Sequence, residues 1–198
     1  MSPATHILFG WAIAQCGELG RRDRAIICLA GIAPDIDGLG MFVDFATRSS
    51  ANPTDYWGTY HHILGHNIGL CLACMLIAGI WAKRRLLSVG LVAVSVHVHL
   101  ICDLIGGRGP ASTDHPDGYQ WPMPYLYPFS DAWIWEWSGQ WSLNAWQNFV
   151  CTGILLMLMF YWAWRRGFSP LSIVSTRADQ GFVHALRQRF GEPRNANT

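Results

Sequence analysis

Charged residues are scarce in this chain. Asp, Glu, Lys and Arg make up 14% of its 198 residues, against about 25% in soluble globular proteins. The formal net charge is only +1, so there is no strongly basic surface of the kind that general nucleic-acid binding requires. Hydrophobic residues make up 51% of the chain, and there are 11 tryptophans. Low charge combined with abundant tryptophan is typical of a membrane protein.

Several sequence signatures of enzymes are also missing. The chain has no G-x-S-x-G, no P-loop and no G-x-G-x-x-G, so covalent serine catalysis and nucleotide-driven chemistry have no support. Cys71 and Cys74 have C-x-x-C spacing but no second cysteine pair, and we interpret them as small buried thiols. The first residues do not show the pattern of a secretory signal, so we expect no cleavable signal peptide.

Histidine is concentrated in one part of this apolar chain. Five of the eight histidines lie between Thr59 and Asp103. Imidazole and carboxylate groups in apolar surroundings cost free energy unless they are compensated, and a divalent metal compensates several at once. His62 and His66 are four residues apart, as are His99 and Asp103, so on a helix each pair projects from one face. We therefore expect a metal site built on helices, within or against a membrane.

The apolar runs predict an all-α protein, a multi-pass membrane bundle of about five helices. The runs cover residues 5–19, 25–46, 68–82, 86–105 and 149–164, with Thr5 as the expected cap of the first. A Pro-Asp-x-Asp-Gly insert at 34–38 breaks the second run, and residues 61–66 are expected to extend the third helix to the length of a bilayer. The Gly-, Pro- and Trp-rich stretch 106–145 is expected to form a long extracytoplasmic loop that caps the helices. Because the runs are short for spans, a monotopic or soluble helical bundle is the alternative.

The basic residues predict an orientation. If the turn at 21–24 is cytoplasmic and the helices alternate, every Lys and Arg except Arg48 and Arg108 is cytoplasmic, as the positive-inside rule expects. We therefore expect a multi-pass protein of a bacterial-type inner (plasma) membrane with its site on the extracytoplasmic side. Residues 1–166 are the expected membrane-embedded helical metal-site domain, and residues 167–198 the basic cytoplasmic tail.

Candidate ligands lie on four segments that would pack together. They are His6, the Pro-Asp-x-Asp carboxylates Asp35 and Asp37, the histidines His61, His62 and His66, and the His-x-x-x-Asp pair His99 and Asp103. Each has a simpler interpretation: a core histidine, a helix-breaking turn, or a polar cluster at the membrane interface. Because candidate ligands occur on all four segments, a shared metal ion is favoured over these separate interpretations. His97 lies on a different helical face from Asp103, so we exclude it.

The donor types predict the ion and its chemistry. Imidazole and carboxylate without thiolate suit zinc, with manganese or iron as alternatives. The candidate ligands outnumber what one tetrahedral ion binds, which implies two or more ions. Such a site activates water for phosphoryl or acyl hydrolysis, and one of the paired carboxylates can act as general base. Two non-catalytic hypotheses use the same groups: a membrane protein that binds or transports metal or protons, and a scaffold holding one structural ion.

At these residues the chain resembles the YdjM-like inner-membrane metal-dependent hydrolases. The shared motifs, over roughly residues 5 to 130, are Thr5-His6, Pro34-Asp35-Ile36-Asp37, the segment His61 to Asn67, His99 to Asp103, and Pro128-Phe129-Ser130. The third motif departs from the family pattern His-Arg-x-x-Thr-His-Ser, because His62 replaces Arg, Gly65 replaces Thr and Asn67 replaces Ser. Helical geometry favours His62 with His66, whereas the family pattern selects His61, which we prefer; His62 then supports the site or contacts substrate.

The resemblance implies a ligand set and an activity. The implied metal ligands are His6, Asp35, Asp37, His61, His66, His99 and Asp103. The family is in turn similar to the zinc-dependent phospholipase C and P1 nuclease group, which implies phosphoester hydrolysis and a catalytic role for Asp35. A site at the outer leaflet makes membrane lipid the expected partner and a lipid or lipid-linked phosphate the expected substrate, with no nucleic acid.

Overall fold

The computed structural model describes residues 1–109, 111 and 116–193. Nine α-helices lie in this part of the chain: α1 Pro3–Ile13, α2 Arg21–Ala30, α3 Gly40–Thr47, α4 Tyr56–Tyr60, α5 Ile68–Trp81, α6 Arg85–Gly106, α7 Trp146–Arg166, α8 Leu171–Val174 and α9 Thr176–Phe190. Short 3-10 helices cover Ala14–Cys16 and Ala33–Leu39. Two short strands, β1 Met123–Pro124 and β2 Ile134–Trp135, pair antiparallel within the loop before α7.

Two helices, α6 and α7, are long and apolar enough to cross a membrane. A third span results if α2 and the segment Ala33–Thr47 count as one broken helix, with a bend of 50° between them. The bend falls at the Pro-Asp-x-Asp insert, where Pro34 lacks the N–H that would continue the helix. Large apolar side chains on the outer face of α7, such as Phe149 and Met157, are exposed. Such a surface fits contact with lipid.

Small residues let α1, α2 and α6 approach closely. A Cβ atom at Gly10 of α1 would lie 2.7 Å from the carbonyl oxygen of Cys28 in α2. A Cβ atom at Gly31 would lie 2.8 Å from the Ser95 hydroxyl of α6. Beneath these contacts Ile27, Val92 and other apolar side chains form the buried core. The close packing matters because α1 and α6 carry His6, His99 and Asp103.

The third predicted helix starts later than expected. Residues 61–67 form turns, and α5 begins at Ile68 because the Asn67 side chain caps it by accepting a hydrogen bond from the Leu70 N–H at 2.9 Å. His62 has a positive φ of 69°, which no helix accommodates. The expectation that residues 61–66 lengthen this helix was therefore wrong. With 14 residues, α5 is about 21 Å long, shorter than the roughly 30 Å of a hydrocarbon core.

Two further details differ from expectation. The cap of α1 is Ser2, whose side chain accepts from the Thr5 N–H at 3.3 Å, and not Thr5. Residues after Gly167 fold back on the helices: Arg21 donates to the Thr176 hydroxyl at 2.8 Å, and Nε of Arg187 donates to the Trp164 carbonyl at 3.1 Å. The division into a membrane domain and a cytoplasmic tail at residue 167 stays a prediction.

Candidate metal centre

Asp103 on α6 lies at the centre of a buried cluster of histidines. Its Oδ1 is 3.1 Å from Nε2 of His6 on α1. Its Oδ2 is 3.1 Å from Nε2 of His99, one helical turn earlier on the same face, and 3.3 Å from Nε2 of His66. The Met1 amino group also contacts Oδ1. The structure thus brings α1, α6 and the turn before α5 together at one carboxylate.

The ligand atoms fall into two groups, and within each group they all lie within 4.8 Å of one another. One group consists of His6, Asp35, His99 and Asp103, and the other of His61, His62 and His66. The groups adjoin each other, because Nε2 of His66 and Nε2 of His99 are 3.1 Å apart. Such an arrangement has the size and donor types of a centre for more than one divalent ion.

Outward hydrogen bonds fix three of the imidazole rings. Nδ1 of His99 donates to the Gly31 carbonyl at 2.7 Å. Nδ1 of His61 and Nδ1 of His66 donate to the two oxygens of Asp37, at 2.9 and 3.0 Å. A ring that donates from Nδ1 keeps its Nε2 lone pair free, and metal-binding histidines are commonly oriented in this way. All three lone pairs therefore face inward.

Asp37 holds the rings in place and does not face the cluster. Besides the two histidines, its Oδ2 accepts from the Gly65 N–H at 2.8 Å. Both oxygens are thus engaged on the outer side of His61 and His66. The sequence and the family resemblance predicted Asp37 as a ligand, and that role stays a prediction; its contacts in the structure are also those of a carboxylate that would orient metal-binding histidines. The distinction depends on long-range contacts, which the Pro-Asp-x-Asp motif does not reveal.

The structure brings both His61 and His62 to the cluster, although the sequence presented them as alternatives. Nε2 of His62 lies 3.8 Å from Oδ2 of Asp103. The left-handed backbone of His62 turns its ring inward, so that the two neighbouring rings lie with their centroids 4.2 Å apart. On a helix the two side chains would point 100° apart. The turn allows both rings to reach the cluster.

Charge is distributed unevenly over the histidines. Burial and the nearby His66 lower the pKa of His62 well below its usual range. Burial also lowers the pKa of His66, but hydrogen bonds with Asp103 and Asp37 outweigh this and raise it to about 9. In the absence of a metal, a proton on His66 therefore takes up part of the negative charge of the two carboxylates, while His62 stays neutral.

Aromatic side chains cover the histidines. The Trp57 ring stacks on His61 with centroids 5.4 Å apart, and the edge of Trp121 meets His61 and His62 at 4.8 and 5.0 Å. Asp44 positions Trp57 by accepting its backbone N–H at 2.8 Å. Trp121 belongs to the long loop, so this loop reaches the site as a cap. Sequence reasoning named none of these three residues, because nothing in the local pattern links them to the histidines.

His97 lies away from the cluster, as its position on the helix predicted. Its Nδ1 donates to the Ala93 carbonyl at 2.7 Å, and its Nε2 pairs with the Tyr125 hydroxyl at 2.8 Å. Cys102, next to Asp103, is buried but belongs to neither ligand group. The six cysteines are all free; of the two predicted buried thiols, Cys71 is buried and Cys74 is only half-buried.

Comparison with known proteins identifies the family to which the chain belongs. The family model described as YdjM inner membrane protein matches residues 1–178. The chain belongs to this family. No curated protein and no solved structure matches the chain. The family description supports a location in an inner membrane, in agreement with the apolar helices. The more distant similarity to zinc-dependent phospholipase C and P1 nuclease finds no counterpart in these comparisons.

Proposed function

We propose that this YdjM-family protein is a membrane-bound, metal-dependent hydrolase that cleaves a phosphoester of a lipid or lipid-linked substrate. One observation carries the proposal: Nε2 of His66, Nε2 of His99 and Oδ2 of Asp103 lie within 3.3 Å of one another in a buried site. Such a concentration of hydrogen-bond acceptors is unfavourable unless a cation or a proton lies among them.

The donor set fits zinc, and two ions suit the two adjoining groups. Imidazole nitrogens and carboxylate oxygens without a thiolate are common in hydrolytic zinc sites. Asp103, with one oxygen toward His6 and the other toward His66 and His99, is placed to be shared between the groups. When bound, such ions supply Lewis acidity and lower the pKa of a coordinated water.

Asp35 is the best candidate for general base. Its side chain is 16% exposed, compared with 0% for Asp37 and 3% for Asp103, so it is the carboxylate nearest to solvent. Its Oδ1 lies 3.6 Å from Nε2 of His99, while Oδ2 has no hydrogen-bond partner in the described part of the chain. This oxygen is itself buried, so we infer that it accepts the proton of a water held inside the cluster and not of one in open solvent.

The membrane arrangement follows from the positions of charge and ligands along the helices. On α6, Arg85 stands at the first residue and Asp103 near the last. On α7, Asn148 lies near the first residue and donates its side-chain N–H to the Gly106 carbonyl at the end of α6. Arg165 and Arg166 lie at the opposite end of α7. We infer that the basic ends are cytoplasmic, that α1 and α5 complete a multi-pass bundle of about five helices, and that the cluster faces outward.

The outward-facing position of the cluster indicates the class of substrate. The loop over the cluster presents exposed aromatic side chains, including Phe129, Trp133 and Trp137, which suit the interfacial zone of a bilayer. A phosphate group of a lipid or lipid-linked molecule lies at this depth. Among the described residues, neither the two ligand groups nor Trp57 and Trp121 above them include the lysines and arginines that nucleic-acid binding requires.

The core between the two helix ends weighs against transport. Ile27, Val92 and Val96 are fully buried. They lie between the metal-binding cluster at one end of the helices and the basic ends of α2 and α6 at the other. Transported metal ions or protons need a polar path through the bilayer. The same residues thus support a site open to one side, as an enzyme requires.

Hydrolysis assays with the full-length protein in detergent test the proposal. We expect chelator-sensitive release of phosphate or headgroup from short-chain phospholipids or bis(4-nitrophenyl) phosphate. Replacing Asp35→Asn is expected to lower the rate by about 100-fold or more, as loss of a general base does, while Asp131→Asn in the exposed loop leaves it unchanged. A metal-loaded protein that hydrolyses none of these substrates, or a rate indifferent to chelator, contradicts the proposal.

A further inference from the structure

A second polar site lies at the opposite end of the helices from the metal centre. It is a cavity of about 1110 Å³, lined by arginine side chains from four segments: Arg24, Arg84, Arg165, Arg166 and Arg187. The one acidic residue in its lining is Glu18. Arg84 directly precedes α6, whose other end carries Asp103, so the cavity and the metal centre are about 27 Å apart along this helix at 1.5 Å per residue.

Most of these arginines lack a carboxylate partner. In the described part of the chain, Arg187 forms an ion pair with Glu192 at 3.5 Å, and none of the other four is within 4.0 Å of an acid. The Nε of Arg24 is buried without a hydrogen-bond partner. Arg166 is fixed from one side by the Gln15 carbonyl at 2.9 Å. Arg24 and Arg187 are half-buried, while Arg84, Arg165 and Arg166 are exposed at the cavity. Guanidinium groups that converge on one cavity with few counter-charges are suited to binding a phosphate group.

Two acids near the cavity, Asp23 and Asp179, accept hydrogen bonds that stabilise the fold. Asp23 accepts the backbone N–H groups of Lys83 and Arg84 at 2.7 and 3.0 Å. Asp179 accepts from the backbone and hydroxyl of Ser169. Asp179 also interacts electrostatically with Arg24. Even when Asp179, Glu18 and Glu192 are set against the five arginines, positive charge remains in excess for a ligand.

An apolar groove adjoins the cavity between α7 and α9. It has a volume of about 540 Å³ and is lined by Phe160, Tyr161, Trp164, Leu186 and Phe190. Two arginines of the cavity join it to the groove: Arg165 donates to the Tyr161 hydroxyl at 3.2 Å, and Nε of Arg187 donates to the Trp164 carbonyl at 3.1 Å. Basic pockets next to apolar surface at the cytoplasmic side are typical of anionic lipid headgroup sites.

We propose that this cavity binds the phosphate headgroup of an anionic phospholipid of the cytoplasmic leaflet, with an acyl chain in the aromatic groove. The cavity is much larger than a phosphate ion, and the groove offers no charged or polar side chain other than the Tyr161 hydroxyl and the Trp164 indole N–H. Both features favour a lipid over a free phosphate. The choice of leaflet rests on the orientation proposed above, whereas the site does not depend on hydrolase activity, because it shares no residue with the metal centre.

Native mass spectrometry of the full-length protein in mixed micelles tests the assignment. The micelles contain phosphatidylglycerol or zwitterionic phosphatidylcholine, and separate samples contain glycerol phosphate or inorganic phosphate. The test variant is Arg84→Gln with Arg166→Gln. Its matched control is Arg22→Gln with Arg177→Gln, which removes the same charge from exposed positions outside the cavity. Thermal unfolding midpoints establish that both variants fold.

We expect wild type and control to retain intact phosphatidylglycerol in preference to phosphatidylcholine. In the test variant, binding is expected to weaken by about 10- to 30-fold. Equal binding of both lipids, or equal weakening in the control, overturns the proposal. Glycerol phosphate or inorganic phosphate that binds as tightly as phosphatidylglycerol also overturns it, because the site is then one for a soluble phosphate. Because the readout is the mass of the bound lipid, a failure of hydrolysis does not affect it.

Discussion

Nε2 of His66 and Nε2 of His99 face each other across 3.1 Å, and each ring donates its Nδ1–H away from the other. The two nitrogens are therefore both acceptors, next to the Oδ2 of Asp103. In the metal-free protein a proton relieves this repulsion, and a metal ion is expected to replace it.

Metal affinity should rise with pH up to about 9. Hydrogen bonds with Asp103 and Asp37 outweigh burial and raise the pKa of His66 to about 9, so below that pH a metal has to displace the proton. For one displaced proton, affinity falls by about tenfold for each pH unit below 9 and levels off above it. Competition with a chromophoric chelator of known pH dependence measures this. An affinity that does not change between pH 6 and pH 9 contradicts a ligand role for His66.

Asp37→Asn should weaken metal binding without abolishing it. The amide cannot accept from His61, His66 and Gly65 together, so the rings lose their orientation. We expect affinity to fall by about 10- to 100-fold, while Asp131→Asn in the exposed loop has no effect. Complete loss of metal would make Asp37 a ligand, and wild-type affinity would leave it without a role at the site.

Gly65→Ala should disturb the site through the backbone. An added Cβ would collide with the Pro34 carbonyl, forcing the histidine turn away from the Pro-Asp-x-Asp segment. We expect a loss of about 1–3 kcal/mol in stability and weaker metal retention. Gly90→Ala in α6 is the control, because nothing lies within 4 Å of its Cβ position, and it should be neutral or stabilising. Equal unfolding midpoints for the two variants would contradict the close approach.

The orientation can be tested with a membrane-impermeant maleimide. Cys16 is the exposed cysteine and lies at the basic end of the helices, so it should react only after cells are permeabilised. A cysteine introduced as Asp131→Cys, in the loop that caps the metal centre, should react in intact cells. Labelling of Cys16 in intact cells would contradict a cytoplasmic basic end.

Local patterns predicted the parts of the site that lie on regular helix. The His-x-x-x-Asp spacing placed His99 and Asp103 on one face of α6, and the structure has them 3.1 Å apart. The Pro-Asp-x-Asp insert marked a real break, with a bend of 50°. Hydrophobic runs indicated α6 and α7 to within a few residues.

Where the chain leaves regular helix, sequence reasoning was less successful. The spacing of His62 and His66 suggested a helix, but the cap at Asn67 and the positive φ of His62 make a turn. The Pro-Asp-x-Asp motif predicted Asp37 as a ligand, which stays a prediction; its bonds to His61 and His66, more than 20 residues away in sequence, could not be predicted from the motif. Long-range partners decide these roles, and a single sequence does not reveal them.

We infer that metal holds together five side chains of the cluster: His6, Asp35, His66, His99 and Asp103. Elemental analysis of the detergent-purified protein tests it most directly, in wild type, His99→Ala and the same-helix control His97→Ala. We predict at least one equivalent of transition metal, most of it zinc, in wild type and His97→Ala, and a substantial loss in His99→Ala. Less than one equivalent in wild type, unchanged by His99→Ala, would contradict the claim.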